Sequence, residues 1–363
     1  MKKTYTVTYC EWSSYGSILQ ALGLQKTIKS LGVENYIIKA HAKPKEKFVL
    51  PKAKIRSVYS LAKRTFDYLV FSKTAKRYRE NLDFIDKEID VCYFDSYEEL
   101  KAEELDADVF VAGSDQIWHP DLCRPLFFLD FVKGKTKRIS YAASMGKTLV
   151  NEEKVQTFKG LLQNIDSFSV REKDNADVIL RYVNKDISVH IDPTFLLSAE
   201  QWRLYEKKYP IFEPYILVYA IYWDSKLNKK LKNLSKKTGY KVVSISSSLD
   251  KVFAHKKIYD VSVGEFLWLI DNAEYVVTSS FHGVAFSTIL EKRFSAVVNE
   301  KLPSRISNLM ELLDIPYVDI EKLDKDANLF DYQTIDKNIS FEKERSIKYL
   351  TEEFEVEKQY FEV

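Results

Sequence analysis

The chain has 363 residues, and its 55 Lys and Arg against 53 Asp and Glu give a formal net charge of +2. Hydrophobic residues make up 45% of the sequence, which excludes a long disordered or repetitive chain. The length exceeds what one ordinary core holds, so we expect two domains of about 150 to 200 residues each.

The three cysteines, Cys10, Cys92 and Cys123, are scattered without CxxC spacing. This pattern is typical of a reducing cytosol and argues against a disulfide framework or a zinc site. Lys2 and Lys3 precede an alternating strand pattern instead of a signal peptide, and no segment approaches the roughly 20 apolar residues that span a bilayer. We therefore expect a cytoplasmic protein, with no metal and no cofactor, since no pair of histidines or carboxylates has ligand spacing.

Strands and helices alternate through the first half of the chain. Strands are predicted at 5–9, 33–38, 91–94, 108–112, 138–143 and 168–170, and helices at 18–31, 97–105, 156–162 and from Glu172 through Leu180. The turn before the first helix contains Gly16 and Ser17 and is placed to face a ligand. Gly16 stands alone, so the turn is not a dinucleotide fingerprint.

Residues 41–79 interrupt this alternation with a basic insertion. It carries twelve Lys or Arg against two acidic residues, Glu46 and Asp67, with apolar residues interleaved. The pattern fits a solvated helix and loop, and it also fits a peripheral contact of 43–79 with an anionic membrane at its inner face. A nucleic-acid contact is the third reading, and we expect no nucleic-acid partner.

A second alternating series follows a segment marked by Pro193, which restricts Asp192 to extended conformations and predicts a linker. Strands are predicted there at 215–221, 241–246, 275–278 and 294–298, and helices at 226–238, 263–272, 283–290 and 305–313. A final helix over 341–363 is expected to pack back on the first domain.

Two such halves predict an α/β fold of two Rossmann-like parallel-sheet domains, 1–192 and 193–340, that face one another across a cleft. In such folds ligands bind at the carboxyl edges of the sheets. The first domain is expected to hold the acceptor side of the cleft, and the second the donor side.

Three strand ends carry polar residues that suit this cleft. His282 opens a helix after the strand 275–278 and the turn Ser279-Ser280, where free backbone N–H groups favour an anionic ligand. Asp115 follows the strand 108–112 and is either a turn residue or a ligand-binding carboxylate. Arg171 follows the strand 168–170 and is either a fork for phosphate or carboxylate or part of a surface ion pair.

Five local patterns stand in a fixed order along the chain. They are Tyr15-Gly16-Ser17-Ile18-Leu19-Gln20, Gly113-Ser114-Asp115-Gln116-Ile117-Trp118, Ser169-Val170-Arg171-Glu172, Asp192-Pro193-Thr194 with Phe195-Leu196-Leu197, and Thr278-Ser279-Ser280-Phe281-His282-Gly283 with Phe286-Ser287. Together they resemble the polysaccharide pyruvyl transferase family, from about residue 10 to about residue 315.

The resemblance implies a glycosyltransferase-B-like architecture and a ketal-forming transferase. Its donor substrate would be phosphoenolpyruvate, and its acceptor a hexose of a cell-surface polysaccharide or of a lipid-linked oligosaccharide precursor. The histidine that matches the family pattern is His282, which would act as general acid, and the arginine that matches is Arg171, which would hold the donor.

The remaining site residues are assigned around these two. Asp115 is expected to receive an acceptor hydroxyl proton or to hold the sugar. Donor-binding residues are Arg171, Ser279, Ser280, Gly283 and Arg305, and acceptor-binding residues are Gly16, Ser17, Ser114, Gln116 and Trp118. Asp192 is predicted to be a hinge residue, and the other four histidines to be structural or exposed.

One position departs from the family pattern. Where some members carry an arginine just before this histidine, the chain has Phe281, so a second donor-binding cation must come from elsewhere. Arg305, Arg293 and Lys292 are the nearest cations in sequence. A nucleotide-sugar glycosyltransferase and a non-catalytic sugar- or phosphate-binding relative remain the alternatives, because a shared scaffold does not fix the reaction.

Overall fold

The computed structural model describes residues 1–41, 58–221, 225–246, 251–297, 304–323 and 329–356, and for 58–71 and 304 it describes the backbone alone. The strands of these residues are β1 (Lys3–Val7), β2 (Glu34–Ala40), β3 (Val91–Phe94), β4 (Val109–Ala112), β5 (Lys137–Ser140), β6 (Phe168–Val170), β7 (Ile187–Val189), β8 (Tyr215–Tyr219), β9 (Lys241–Ile245), β10 (Lys256–Ile258), β11 (Tyr275–Thr278) and β12 (Phe294–Ala296). The helices are α1 (Tyr15–Ser30), α2 (Val58–Glu88), α3 (Tyr97–Ala102), α4 (Glu152–Leu162), α5 (Lys173–Ile179), α6 (Ala199–Arg203), α7 (Ser225–Thr238), α8 (Val263–Asp271), α9 (Phe281–Ile289), α10 (Ser304–Leu313) and α11 (Tyr332–Phe354).

These strands form two five-stranded parallel sheets and one small pair. The first sheet has the order β3-β2-β1-β4-β5, the second has the order β10-β9-β8-β11-β12, and β6 pairs with β7. In each large sheet the order reverses beside the first strand, at β1/β4 and at β8/β11. The carboxyl ends of these strand pairs are where open α/β sheets bind ligands. The predicted α/β class with two parallel sheets is therefore confirmed.

Helix α1 is buried along most of its length because it packs on β2 and on elements of the second half of the chain. It packs against α8 and against the 3-10 turn Pro193–Leu196. The hydroxyl of Tyr15 donates to the Val261 carbonyl at 2.8 Å, and its ring stacks on Phe266 with centroids 4.6 Å apart. The helix approaches this turn closely at Gly23, where a Cβ would lie 2.6 Å from the carbonyl oxygen of Pro193. The first turn of α1 is thereby held against the second sheet unit.

The C-terminal helix α11 packs on the first sheet unit. The Tyr349 hydroxyl donates to the Ser140 carbonyl at 2.9 Å, and the Ser167 hydroxyl donates to Glu353 at 2.6 Å. The helix begins at Tyr332 and not at the predicted residue 341, because the Asp331 side chain caps it. The predicted end at 363 falls on residues 357–363, which lie outside the described part of the chain.

The basic insertion is described only in part. Residues 42–57 lie outside the described residues, and α2 runs through the remainder of the insertion to Glu88. Near its end, α2 packs into the protein: Asn81 donates to the Trp12 carbonyl at 2.8 Å and accepts from the Val263 N–H at 2.9 Å. Arg77 is buried, with its guanidinium 4.7 Å from the Tyr78 ring centroid. Among the helices of the described residues, none is both long and apolar enough to cross a membrane.

His190 joins α11 to the first sheet unit through a buried contact. Its Nδ1 lies 3.3 Å from the Ser346 hydroxyl, and its ring packs on Tyr349 with centroids 4.7 Å apart. Burial, with a smaller contribution from Arg345, lowers the pKa of His190 from 6.5 to about 4. The ring is therefore neutral in the folded protein at neutral pH.

This depressed pKa predicts a loss of stability in acid. In the unfolded chain the ring takes up a proton near pH 6.5, so its contribution to stability is complete above that pH and falls as pH drops to about 4. The loss should reach about 3 kcal/mol. Thermal unfolding of His190→Gln should show a weaker pH dependence between pH 6.5 and 4 than the wild type. The exposed His41→Gln variant is the control, and equal slopes for His190→Gln and wild type would contradict the prediction.

Candidate functional site

The carboxyl ends of β4, β6 and β11 meet in one cleft. His282 enters it from the first turn of α9, directly after β11. The Ser280 side chain caps this helix by accepting from the Gly283 N–H at 3.4 Å, which fixes the start of the helix at this turn. The His282 side chain is almost fully buried, with the residue 9% exposed.

His282 of the second sheet unit lies against Gly16 of the first. A Cβ at Gly16 would be 2.0 Å from Nδ1 of the imidazole and 2.4 Å from its Cγ. No side chain larger than a hydrogen atom fits there while the ring keeps its place. The sequence predicts that Gly16 binds the acceptor, whereas the structure places it against the imidazole ring of His282.

Asp192 lies at the centre of the cleft and is 1% exposed. Its Oδ1 accepts from the Thr194 N–H at 3.0 Å and from the Thr194 hydroxyl at 2.8 Å. Its Oδ2 accepts from Arg171 Nη1 at 2.6 Å, and Nε2 of His282 lies 3.8 Å from the same oxygen. The Ser114 hydroxyl is 3.5 Å from it as well. This carboxylate therefore connects residues at three strand ends. Asp192 is predicted from the sequence to be a hinge residue, and the structure places it among the polar groups of the cleft.

Arg171 is buried between two carboxylates and an aromatic ring. Its Nε donates to Glu172 at 2.8 Å, and its guanidinium carbon lies 4.1 Å from the centroid of Phe281. Burial alone would lower the pKa of Arg171, but Glu172 and Asp192 raise it above its ordinary value. Phe281, which stands where a cation was expected, supports the guanidinium through a cation–π contact.

Arg305 supplies a second cation to the cleft. With the Gln116 amide turned so that its oxygen faces α10, this oxygen accepts from Nη1 at 2.8 Å and from Nη2 at 3.2 Å. Burial, together with the charge of Arg171, lowers the pKa of Arg305. The other two cations near in sequence lie elsewhere: Arg293 is exposed where the chain enters β12, and Lys292 bonds to the Asp271 carbonyl.

Four buried polar atoms in this cleft have no hydrogen-bond partner among the described residues. They are Arg171 Nη2, Glu172 Oε2, His282 Nε2 and Arg305 Nε. Arg171, Glu172, Asp192, Phe281 and Arg305 line one cavity. Buried polar groups in folded proteins are almost always hydrogen-bonded, so this concentration points to a bound ligand or water.

The electrostatic surroundings of His282 oppose its protonation. Burial lowers the pKa of His282, Asp192 and Asp115 raise it, and Arg171 and Arg305 lower it, with a lowered pKa as the result. The position of the ring in the first turn of α9 acts in the same direction, because a helix N-terminus disfavours a cation. The imidazole is therefore neutral at neutral pH in the unliganded protein.

Asp115 lies half-buried at the end of β4, within the field of these groups. It adopts a left-handed backbone conformation with φ of 68°, which is uncommon for a residue other than glycine and is enriched at functional sites. Its Oδ1 accepts from the Gln116 N–H at 2.8 Å, while its carbonyl accepts from the Ser144 N–H at 2.9 Å. The carboxylate is thus held at the rim of the cleft.

The remaining donor-side residues shape the turn before α9. The Ser279 hydroxyl accepts from the Ile221 N–H at 2.9 Å, while Ser280 caps the helix. Gly283 packs on β11, where a Cβ would lie 2.2 Å from the Thr278 hydroxyl. These residues fix the position of His282, and their direct contact with a donor stays a prediction.

Of the predicted acceptor-binding residues, some face the cleft and others serve the local fold. Gln116 faces the cleft through its contact with Arg305, and Ser114 approaches Asp192. The Ser17 hydroxyl donates to the Ser14 carbonyl at 3.0 Å and so serves the local turn. Trp118 is 0% exposed, and its Nε1 donates to the Phe127 carbonyl at 2.9 Å. Trp118 is therefore a core residue and not an acceptor contact.

Two carboxylates of the cleft, Asp192 and Glu172, were not predicted as site residues. The signal for Asp192 was present, because the Asp192-Pro193-Thr194 pattern is one of the five motifs. Glu172 follows Arg171 directly in the sequence, within the Ser169-Val170-Arg171-Glu172 motif. Within the described residues, no group of three or more His, Cys, Asp or Glu is arranged to hold a metal ion.

Solved structures with a similar fold were found at low sequence identity. The MnaA–UDP co-structure of S. aureus aligns with a TM-score of 0.53 at 12% identity, covering 99% of this chain and 98% of that one. The UDP-GlcNAc 2-epimerase of Methanocaldococcus jannaschii aligns with a TM-score of 0.55 at 13% identity, covering 97% and 100%. These similarities confirm the glycosyltransferase-B-like architecture and indicate the fold alone.

The family assignment comes from the sequence itself. No curated protein matches the chain significantly. The model of the polysaccharide pyruvyl transferase family matches residues 15–301, a range that begins beside Gly16 and contains Asp115, Arg171, Asp192 and His282. With most of its length matched by this model, the chain belongs to the polysaccharide pyruvyl transferase family.

Proposed function

We propose that the protein transfers the pyruvyl group of phosphoenolpyruvate to a hexose of a cell-surface polysaccharide or its lipid-linked precursor, with formation of a pyruvate ketal. The observation that carries the proposal is the pair of buried, unpaired donor atoms on Arg171 and Arg305. Phosphoenolpyruvate presents a phosphate and a carboxylate, and guanidinium groups match both in charge and in geometry.

The charges of the cleft assign different tasks to the two arginines. Arg171 is already neutralised by Glu172 and Asp192, so its main contribution is a directed N–H group. Arg305 has a neutral partner, Gln116, and keeps its charge for an anion. Arg305 is therefore the cation that compensates for the phenylalanine at position 281.

The reaction begins with a proton on the methylene carbon of the donor, which makes C2 electrophilic. A first sugar hydroxyl bonds to C2 and loses its proton, the bond between C2 and the phosphate oxygen breaks, and a second hydroxyl bonds to C2 and loses its proton. Phosphate and the ketal are the products. We assign the proton donor to His282 and the acceptance of the first hydroxyl proton to Asp115, while the released phosphate takes up the second hydroxyl proton. The two residues enter the cleft from opposite sheet units.

The acceptor side of the cleft is assigned to Asp115 and Gln116. Carboxylate and amide groups pair with sugar hydroxyls through directional hydrogen bonds. We also propose a cytoplasmic location, with a peripheral membrane contact through 43–79 that would bring the protein to a lipid-linked acceptor. We propose that the reaction uses phosphoenolpyruvate as its donor substrate without a cofactor.

The direct test incubates the purified protein with phosphoenolpyruvate and a lipid-linked acceptor that ends in galactose or mannose. We expect phosphate release that depends on the acceptor, and a product with the mass of a pyruvate ketal. A parallel incubation replaces phosphoenolpyruvate with UDP-sugars. Transfer from the UDP-sugar alone would establish the nucleotide-sugar alternative, and binding of phosphoenolpyruvate without turnover on either acceptor would favour a non-catalytic relative.

Arg305→Gln should weaken the binding of phosphoenolpyruvate by roughly 10- to 100-fold, because it removes a charge-assisted hydrogen bond. Isothermal titration calorimetry with the donor alone measures this loss. Arg293→Gln removes an exposed arginine outside the cleft and is the matched control. If the two variants bind the donor equally well, Arg305 is not the missing cation.

Gly16→Ala should lower turnover by about 100-fold, because a methyl group at this position displaces the imidazole of His282, the assigned proton donor. Steady-state kinetics and thermal unfolding should be measured together. The control is Gly160→Ala on α4, where a Cβ would meet no atom within 4 Å. A Gly16→Ala enzyme with wild-type turnover would show that the position of the ring against Gly16 is not needed.

A further inference from the structure

Asp192 approaches the nitrogen of His282 that has no other partner. Nε2 of the imidazole is buried and makes no hydrogen bond within the described residues, and the carboxylate oxygen lies 3.8 Å away. This separation is longer than a hydrogen bond, and such contacts often tighten when substrate binds. The other ring nitrogen, Nδ1, lies beside Gly16 at the start of α1.

We propose that Asp192 is the positioning residue for His282: its anchored carboxylate holds the imidazole through Nε2–H and allows the ring to become protonated when the anionic donor binds. The inference rests on the proposed function, in which His282 supplies the proton. In this role Asp192 acts through the histidine, although it also lines the cavity beside Arg171 and Arg305.

The carboxylate is suited to this role because it cannot move away. Thr194 holds one of its oxygens through two hydrogen bonds, and Arg171 holds the other at 2.6 Å. Arg171 is fixed in turn by Glu172 and by the ring of Phe281. The charge that faces His282 is therefore set by the fold and needs no rearrangement during the reaction.

The balance of charge around His282 explains why this carboxylate is needed. Burial, Arg171, Arg305 and the N-terminus of α9 all oppose a charge on the ring. Among the described residues, Asp192 and Asp115 are the acidic groups that favour a charge on the imidazole. Asp115 is assigned to accept a hydroxyl proton and becomes neutral when it does so. The negative charge of Asp192 therefore stays constant through the reaction cycle. A bound phosphate adds the remaining negative charge and completes the protonation.

The proposal is tested first in the substrate-free protein by NMR titration of ¹⁵N-labelled histidine. His282→Gln identifies the resonance among the five histidines. Asp192→Asn keeps an oxygen for Thr194 and removes the charge, and we expect it to lower the pKa of His282 by about 1 to 3 units. Glu172→Gln is the matched control, because Glu172 also pairs with Arg171 but does not face the histidine.

A pKa of His282 that falls only in Asp192→Asn supports direct action of Asp192 on the imidazole. Equal titration of His282 in wild type and Asp192→Asn would overturn the proposal. An equal fall of the pKa in both variants would also overturn it, since it would assign the effect to Arg171. Because no substrate is used, failure here is separate from failure of the pyruvyl transfer assay.

The tautomer of the wild-type ring gives a second measurement that does not depend on the folding of a variant. The ¹⁵N shifts of neutral His282 should show the proton on Nε2, the nitrogen that faces Asp192. A neutral ring protonated on Nδ1 would overturn the proposal. In the active enzyme, Asp192→Asn should reduce kcat at neutral pH by about 10- to 100-fold while the KM for the acceptor changes little.

Discussion

The carboxylate of Asp192 accepts hydrogen bonds from Arg171 and Thr194 and faces His282, and these residues come from separate segments of the chain. A carboxylate that is 1% exposed persists in its charged form only when cations and N–H groups surround it. Arg171 and His282 lower the pKa of Asp192 against the opposing effect of burial. The geometry of the cleft follows from this requirement, since each partner must stay within reach of the same two oxygens.

The cleft also shows how one position can change without loss of the site. A phenylalanine precedes the histidine, where an arginine was expected, and its ring lies on the guanidinium of Arg171. The cation is recovered from α10, whose Arg305 reaches the Gln116 amide on the first sheet unit. This contact crosses from one sheet unit to the other, so the same side chain that would hold a donor also holds the two units together.

The scaffold accounts for the place of the site. Both sheets reverse their strand order beside their first strand, and open α/β sheets bind ligands at the carboxyl ends of the strands at this point. Structures with TM-scores above 0.5 at 12 to 13% identity share this arrangement, which shows how little of the sequence the fold requires. The residues that set the chemistry lie on the turns after the strands, where the sequence varies without disturbing the sheets.

The sequence by itself determined the elements and the strand ends that carry the site. The predicted strands 91–94 and 275–278 agree with β3 and β11 residue for residue, because apolar runs and turn residues are local signals. Asp115, Arg171 and His282 follow three strands of parallel sheets, so their presence at one edge could be expected from topology alone. The family resemblance was confirmed on the same basis, since short motifs in a fixed order are a property of the sequence.

Only the tertiary structure decided which of these residues meet and which are consumed by the fold. Trp118 lies in the core, although its motif suggests a ligand contact. Asp192 suggests a hinge by its sequence, but the structure places it at the centre of the cleft. The contact of Gly16 with His282 and that of Gln116 with Arg305 join segments far apart in the chain. The physical reason is that hydrophobic periodicity and turn chemistry act over a few residues. Burial, hydrogen-bond pairing and the charge around a buried histidine are set by the approach of distant segments.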